Sequence, residues 1–251
     1  VTTEVFDSES QLASALADRV LAAIVRQPDL VLGLPTGRTP RLLYQELGAR
    51  SRRAGTDWSR VRTFNLDEFV GLGGHDPGSY YHYMEQALFS VVGLPRDHVG
   101  FLDGRAVDFD VECRRFEQAI RDAGGIDLMI LGIGVNGHIG FNEPGPWLHA
   151  RTHRAALAPA TRAANAGLFG GDSSRVPREG LSMGMATILQ SRAVVLIATG
   201  DEKAAALAAM VEGPLTTAVP ASFLQLHADV TLMIDRPASE AGGDGTPEVQ
   251  A

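Results

Sequence analysis

Residues 126–138, Ile126-Asp127-Leu128-Met129-Ile130-Leu131-Gly132-Ile133-Gly134-Val135-Asn136-Gly137-His138, decide the fold. A continuous apolar run of this length suits a strand covered on both faces, as in a parallel sheet held between helices. Glycines follow at once, where the chain leaves the strand and close backbone approach is wanted. Working outward, similar runs stand at 29–34, 61–66, 193–198 and 230–234, with a weaker one near 99–102. Helical patterns lie between them. The clearest is 10–26, which follows the capping candidates Asp7-Ser8-Glu9 and repeats Leu12, Leu16, Val20 and Ile24 in steps of four. Another, 39–54, carries Pro40 at its first position, where a missing N–H costs nothing. Further helices are expected at 79–90, 108–123, 180–190, 201–212 and 221–226. Strands alternating with helices, and no repeat at a fixed period, define an α/β chain with a mostly parallel sheet.

Composition narrows the function classes. The 251 residues are 45% hydrophobic and 21% charged, with a formal charge of -8, which argues against nucleic acid as the main partner, since phosphate backbones demand a basic stripe. A small anion remains compatible, because N–H groups at a loop and helix start bind phosphate on an acidic protein. The single cysteine, Cys113, rules out an intrachain disulfide and a thiolate metal cluster, and reads as a small buried residue on a helix. The opening Val1-Thr2-Thr3-Glu4-Val5 lacks a signal-peptide pattern, and no apolar stretch approaches ~18–20 residues. A cytoplasmic protein without membrane or nucleic-acid partners is expected.

Four loops follow strand candidates, and in an open parallel sheet the carboxyl ends of strands build the site. Gly33-Leu34-Pro35-Thr36-Gly37-Arg38-Thr39-Pro40 runs straight into a helix and offers hydroxyls and N–H groups to an anion, or is an ordinary turn with a Thr cap. It is not a Walker A loop, since the Gly-Lys-Ser/Thr ending is missing. Thr63-Phe64-Asn65-Leu66-Asp67-Glu68-Phe69 places two carboxylates side by side. Adjacent side chains do not readily face the same way, so Asp67 is the candidate base and Glu68 the candidate for orienting neighbours; helix-capping acids are the alternative. Gly132 to Pro144 packs His138, Asn136, Asn142 and Glu143 into a short loop. A His and Glu five residues apart do not share a helical face, so proton transfer suits them better than metal binding. Gly132-x-Gly134-x-x-Gly137 fits a dinucleotide fingerprint, but a Pro-bounded loop follows instead of a helix, and NAD is not expected. In Ala198-Thr199-Gly200-Asp201-Glu202-Lys203, Lys203 sits in a first helical turn, where the dipole disfavours a cation unless it meets an anion. Residues 144–177, rich in Pro, Gly, Arg and Ala, read as a lid or a surface excursion. Residues 1–236 read as one domain and 237–251 as a disordered tail.

Together these segments resemble the glucosamine-6-phosphate deaminase family over nearly the whole chain. The matches run in order: Leu34-Pro35-Thr36-Gly37-x-Thr39-Pro40, Phe64-Asn65-Leu66-Asp67-Glu68, Ser79-Tyr80-Tyr81, the run from Gly132 through His138 to Asn142-Glu143-Pro144, and Leu224-Gln225-Leu226-His227. The related 6-phosphogluconolactonases typically have an Arg after the Asp-Glu and a Thr-Ala-Ser-Leu-Phe-Pro-like run after the Gly-His; Phe69 and the run from Ile139 to Pro144 stand there instead. The resemblance implies a Rossmann-like, doubly wound sheet with helices on both faces and a lid. It implies deamination and isomerisation of glucosamine 6-phosphate to fructose 6-phosphate and ammonia, with no metal or organic cofactor. Asp67 would shuttle the C2 proton, while His138, Asn136 and Glu143 would open the sugar ring. Thr36, Gly37, Thr39 and Lys203 would hold the phosphate. An arginine that the family carries a few residues beyond Thr161-Arg162-Ala163-Ala164-Asn165 is missing, and Arg38 stands where Gly or Ser is usual. Arg38 is therefore expected to replace it from the opposite wall, the rival reading being a different amino-sugar substrate. The basic residues that bind an activating sugar phosphate in regulated members are largely missing after Arg151-Thr152, so effector-independent kinetics are expected. Self-association into a homo-oligomer stays open, as do a lactonase-like hydrolase and a non-catalytic sugar-phosphate sensor.

Overall fold

Apolar alternation along the central strands explains the layering. A computed structural model describes residues 1–240. In strand β6 (Leu128–Gly132), Leu128 and Ile130 face one core with α1 (Glu9–Arg26) and α2 (Pro40–Ala54), while Met129 and Leu131 face another. Leu12, Leu16, Val20 and Ile24 of α1 are all buried in the first core, as their spacing foretold. The second core takes Phe116 and Ile120 from α5 (Phe109–Asp122), Ile188 from α7 (Met185–Leu189), and Leu207 and Met210 from α8 (Ala204–Val211).

Seven parallel strands form the sheet in the order β1-β10-β9-β6-β2-β3-β5. They are β1 (Thr2–Phe6), β2 (Val31–Leu34), β3 (Arg62–Asn65), β5 (Val99–Gly100), β6, β9 (Ala193–Ala198) and β10 (Val230–Asp235). The order reverses between β2 and β6: the chain runs outward from β2 to β3 on one side and from β6 to β9 on the other. That crevice is the topological switch point, where α/β sheets place their ligands.

A second, three-stranded antiparallel sheet stands beyond the strand ends. It joins β4 (Asp67–Phe69), β8 (Glu179–Ser182) and β7 (His153–Ala156), with Asp67 paired to Ser182. Expectation and structure part here, since 180–190 begins as strand β8 and turns helical only at Met185. The helix expected at 79–90 is α3 (Tyr80–Met84), a π-helical turn over Glu85–Phe89 and α4 (Ser90–Val92). A 3-10 turn, Pro220–Leu226, replaces the helix expected at 221–226. Segment 144–177 holds β7, α6 (Pro159–Ala164) and the 3-10 turn Ala166–Phe169. The last helix, α9 (Arg236–Glu240), overlaps the start of the expected tail and buries Ala238; residues 241–251 lie outside the described residues.

Among the described residues no helix is long and apolar enough to cross a membrane. Cys113 is buried on α5, and burial pushes its thiol up to about 11, which leaves it a poor nucleophile.

Candidate active site

Four strand ends and the helix α6 enclose a cavity of about 320 Å³, within the range of small-molecule sites. The loop after β2 supplies Pro35, Thr36, Gly37, Arg38 and Thr39. Gly37 has φ 107°, a left-handed turn that leaves space where a side chain would stand. Pro40 opens α2, and Thr39, at the cap position, gives no side-chain hydrogen bond to the first turn. The orphan N–H groups of this helix end are thus left without a side-chain cap, on the wall where an anion would bind.

Strand β3 ends one residue before β4, and the alternation of β4 separates the two carboxylates. Asp67 lines the cavity and is 7% exposed. Burial, then the charge of Glu68, pushes its carboxyl up to about 8, against a weak 3.5 Å hydrogen bond from Thr36 Oγ1. Glu68 turns to the start of α3 and accepts N–H bonds from Phe69 at 2.8 Å and from Tyr80 and Tyr81 at 3.0 Å. Burial still raises it to about 7, although these bonds oppose the shift. Asp67 thus faces the cavity, and Glu68 faces the start of α3.

The loop after β6 is a tight turn. Gly134 N–H donates to the His138 carbonyl and Gly137 N–H to the Gly134 carbonyl, both at 2.9 Å. A Cβ on Gly134 would collide with the His138 ring, so glycine is what lets the imidazole lie against the backbone. His138 Nδ1 is 2.7 Å from Asn136 Oδ1 and 3.5 Å from Glu143 Oε2, while Asn136 Nδ2 donates to Glu143 Oε2 at 3.0 Å. Both neighbours of Nδ1 are acceptors, so in the uncharged tautomer the ring proton sits on Nδ1 and Nε2 is left as an acceptor. Burial pushes the Glu143 carboxyl up, but His138, by hydrogen bond and charge, with Thr161 and Asn136, outweighs it and holds it at about 2. Asn142 does not join this relay: its Nδ2 donates to the carbonyls of Ile139 and Met183, at 2.9 and 2.8 Å, and fastens the loop to the core.

Segment 144–177 brings partners that the sequence did not single out. Thr161 on α6 donates its hydroxyl to Glu143 Oε1, and the Ala158 N–H adds a 3.3 Å bond to the same oxygen. Tyr80, stacked among Phe69 and Phe141, donates its hydroxyl to Asn165 Oδ1 at 2.7 Å. The turn at Ala166, Gly167 and Leu168 offers no cation. Arg162 does not substitute, since its guanidinium binds the Val176 and Ser173 carbonyls. On the opposite wall, Arg38 and Lys203 both line the cavity, and Arg38 pairs with Glu202. Burial lowers the Lys203 ammonium, with Arg38 adding to the effect and Glu202 opposing it. Asp67, Asn136, His138, Thr36, Gly37, Arg38, Thr39 and Lys203 therefore meet in one cavity, with Glu143 directly behind His138. No group of three metal-ligating side chains is found among the described residues.

Known proteins share both sequence and fold with this chain. A curated glucosamine-6-phosphate deaminase of a Geobacillus species is 45% identical over 241 residues, 96% of each chain. A second, glucosamine-6-phosphate deaminase 2 of Bacillus subtilis, is 46% identical over 88% of this chain and 92% of its own. The solved structure of a monomeric glucosamine-6-phosphate deaminase superposes with a TM-score of 0.92 at 38% identity, covering 96% of this chain and all of the other. A 6-phosphogluconolactonase from Trypanosoma cruzi shares the fold with a TM-score of 0.77 at 21% identity, over 95% of this chain and 96% of its own. Residues 6–233 match the profile of the glucosamine-6-phosphate isomerases/6-phosphogluconolactonase family, and the chain belongs to that family.

Proposed function

We propose that the protein converts glucosamine 6-phosphate and water to fructose 6-phosphate and ammonia. The observation that carries this reading is a buried carboxyl, Asp67, in the same cavity as a His138–Asn136–Glu143 relay, with hydroxyls, a helix start and Lys203 at the β2 and β9 ends. His138 accepts the O1 proton at Nε2 and returns it to O5, so that the pyranose opens to the aldehyde. Glu143 and Asn136 hold the ring and stabilise the imidazolium in between. Asp67 then takes the C2 proton while the 2-ammonium group gives a proton to O1, forming a 1,2-enolamine, and Asp67 returns its proton to C1, giving a C2 iminium. Water adds at C2, and ammonia departs as the ketone forms. One carboxyl serves both carbons because they are neighbours. Each positioned proton transfer is worth roughly 10²–10⁴-fold.

The phosphate is held by the N–H groups and hydroxyls at Thr36, Gly37 and Thr39, with Lys203 and Arg38 supplying charge. Arg38 takes over the task of the arginine missing near Gly167, a guanidinium being able to grip a phosphate from either wall. Phe69 favours this reading over lactone hydrolysis: it is fully buried between Tyr80, Phe141 and Phe169, where the arginine typical of lactonases could not be solvated. Every residue assigned here comes from one chain. Incubation with glucosamine 6-phosphate is expected to yield ammonia and fructose 6-phosphate in equal amounts. Hydrolysis of 6-phosphogluconolactone without ammonia release would overturn the reading.

A further inference from the structure

Glu202 stands in the wrong place for a site that receives a dianion. It lines the cavity between the two cations assigned to the phosphate, and its carboxylate binds the Arg38 guanidinium. Three features show that this position is built. Gly200, at φ 89°, leaves room for the carboxylate to fold back, since a Cβ there would collide with it. The Glu202 carboxylate also accepts its own backbone N–H, and against burial these bonds and Arg38 hold its carboxyl below the usual range. Finally, Lys203 is half-buried beside Arg38, a pair of like charges that destabilise each other unless an anion lies near.

We infer that Glu202 is an internal counter-ion that occupies Arg38 while the site is empty and is displaced when the substrate's phosphate arrives. This rests on the proposed phosphate site. The exchange makes the free pocket selective: a ligand must offer Arg38 and Lys203 more than a carboxylate does. A phosphate monoester, with two charges and three oxygens reaching the N–H groups at residues 36–39, does so. A monoanion does not. Glu202 thus holds two cations together in the free enzyme at a cost in phosphate affinity.

Glu202→Gln tests this, because the side chain is 41% exposed and its loss leaves no buried group behind. The expected result is a KM for glucosamine 6-phosphate about threefold or more lower, in line with an exposed charge pair, with kcat unchanged. Inorganic phosphate, titrated by calorimetry, is expected to bind tighter in the same proportion, and formate, a monoanion, to bind the variant more tightly than the wild type. The KM for unphosphorylated glucosamine stays where it was. Phosphate binding equal to or weaker than wild type would overturn the proposal. The calorimetric arm needs no turnover, so it decides the role of Glu202 even if no ammonia is released from the proposed substrate.

Discussion

Asp67 and Glu68 share one peptide bond and face unlike surroundings because a three-residue strand turns them to opposite sides. The pH dependence follows from that pairing. A base that must be ionised to take the C2 proton, and whose carboxyl burial and Glu68 raise to about 8, makes kcat/KM climb with pH far above the ordinary carboxylate range. Glu68→Gln removes the like charge, so the acid limb of kcat/KM is expected to move to lower pH, whereas a purely structural role would leave its midpoint in place. The same shift bears on stability. An unfolded Asp loses its proton near 3.8 and the folded one near 8, so the stability present below the first value is lost as pH rises through the second. Asp67→Asn is therefore expected to raise Tm relative to wild type more at pH 9 than at pH 5, as scanning calorimetry would show. Asp67 could be singled out as the candidate base from Asp67-Glu68 at a strand end. Glu202 and Tyr80 could not: an acid in a first helical turn reads as an ordinary helix-dipole residue, and an aromatic in a buried cluster reads as core.

At the scale of elements, the helix α6 is fastened to the catalytic loop through a single carboxylate, Glu143, which reaches His138 with one oxygen and Thr161 and Ala158 with the other. Cutting that tether is expected to loosen the relay without emptying the pocket. Thr161→Val should lower kcat about tenfold, a loss of the size seen when a partner orienting a functional group is removed, while Thr161→Ser restores it; equal kcat in both variants would remove α6 from the mechanism. Sequence exposed the central parallel strands through runs such as Leu128-Met129-Ile130-Leu131, apolar on both faces and bounded by glycines. It hid β1, an edge strand that is mostly exposed, and the sheet of β4, β7 and β8, whose short strands carry Gly180, Ser182 and Arg154 in place of an apolar pattern. Those strands depend on one another through long-range pairing, which no local window contains.

The whole molecule places its chemistry at the crevice between β2 and β6, and the loops that fill it were readable because glycines, hydroxyls and titratable groups follow apolar runs. What no local pattern could supply is the approach of α6 to Glu143. No regulatory anion site is assembled by His153 and Arg154: burial and His149 depress the His153 imidazole to about 4, and Arg154 pairs with Glu179. Hyperbolic kinetics, unchanged by N-acetylglucosamine 6-phosphate, are therefore expected, and a sigmoidal rate curve relieved by that compound would contradict it. The solved relative at 38% identity is described as monomeric. The most direct test of the central claim, that Asp67 carries the proton between C2 and C1, is turnover of glucosamine 6-phosphate deuterated at C2 by the wild type and by Asp67→Asn. The wild type should release ammonia with a primary isotope effect and deliver part of the label to C1 of the ketose, and the variant should be slower by about 10³-fold or more. Ammonia release by Asp67→Asn at a rate near wild type would contradict the account.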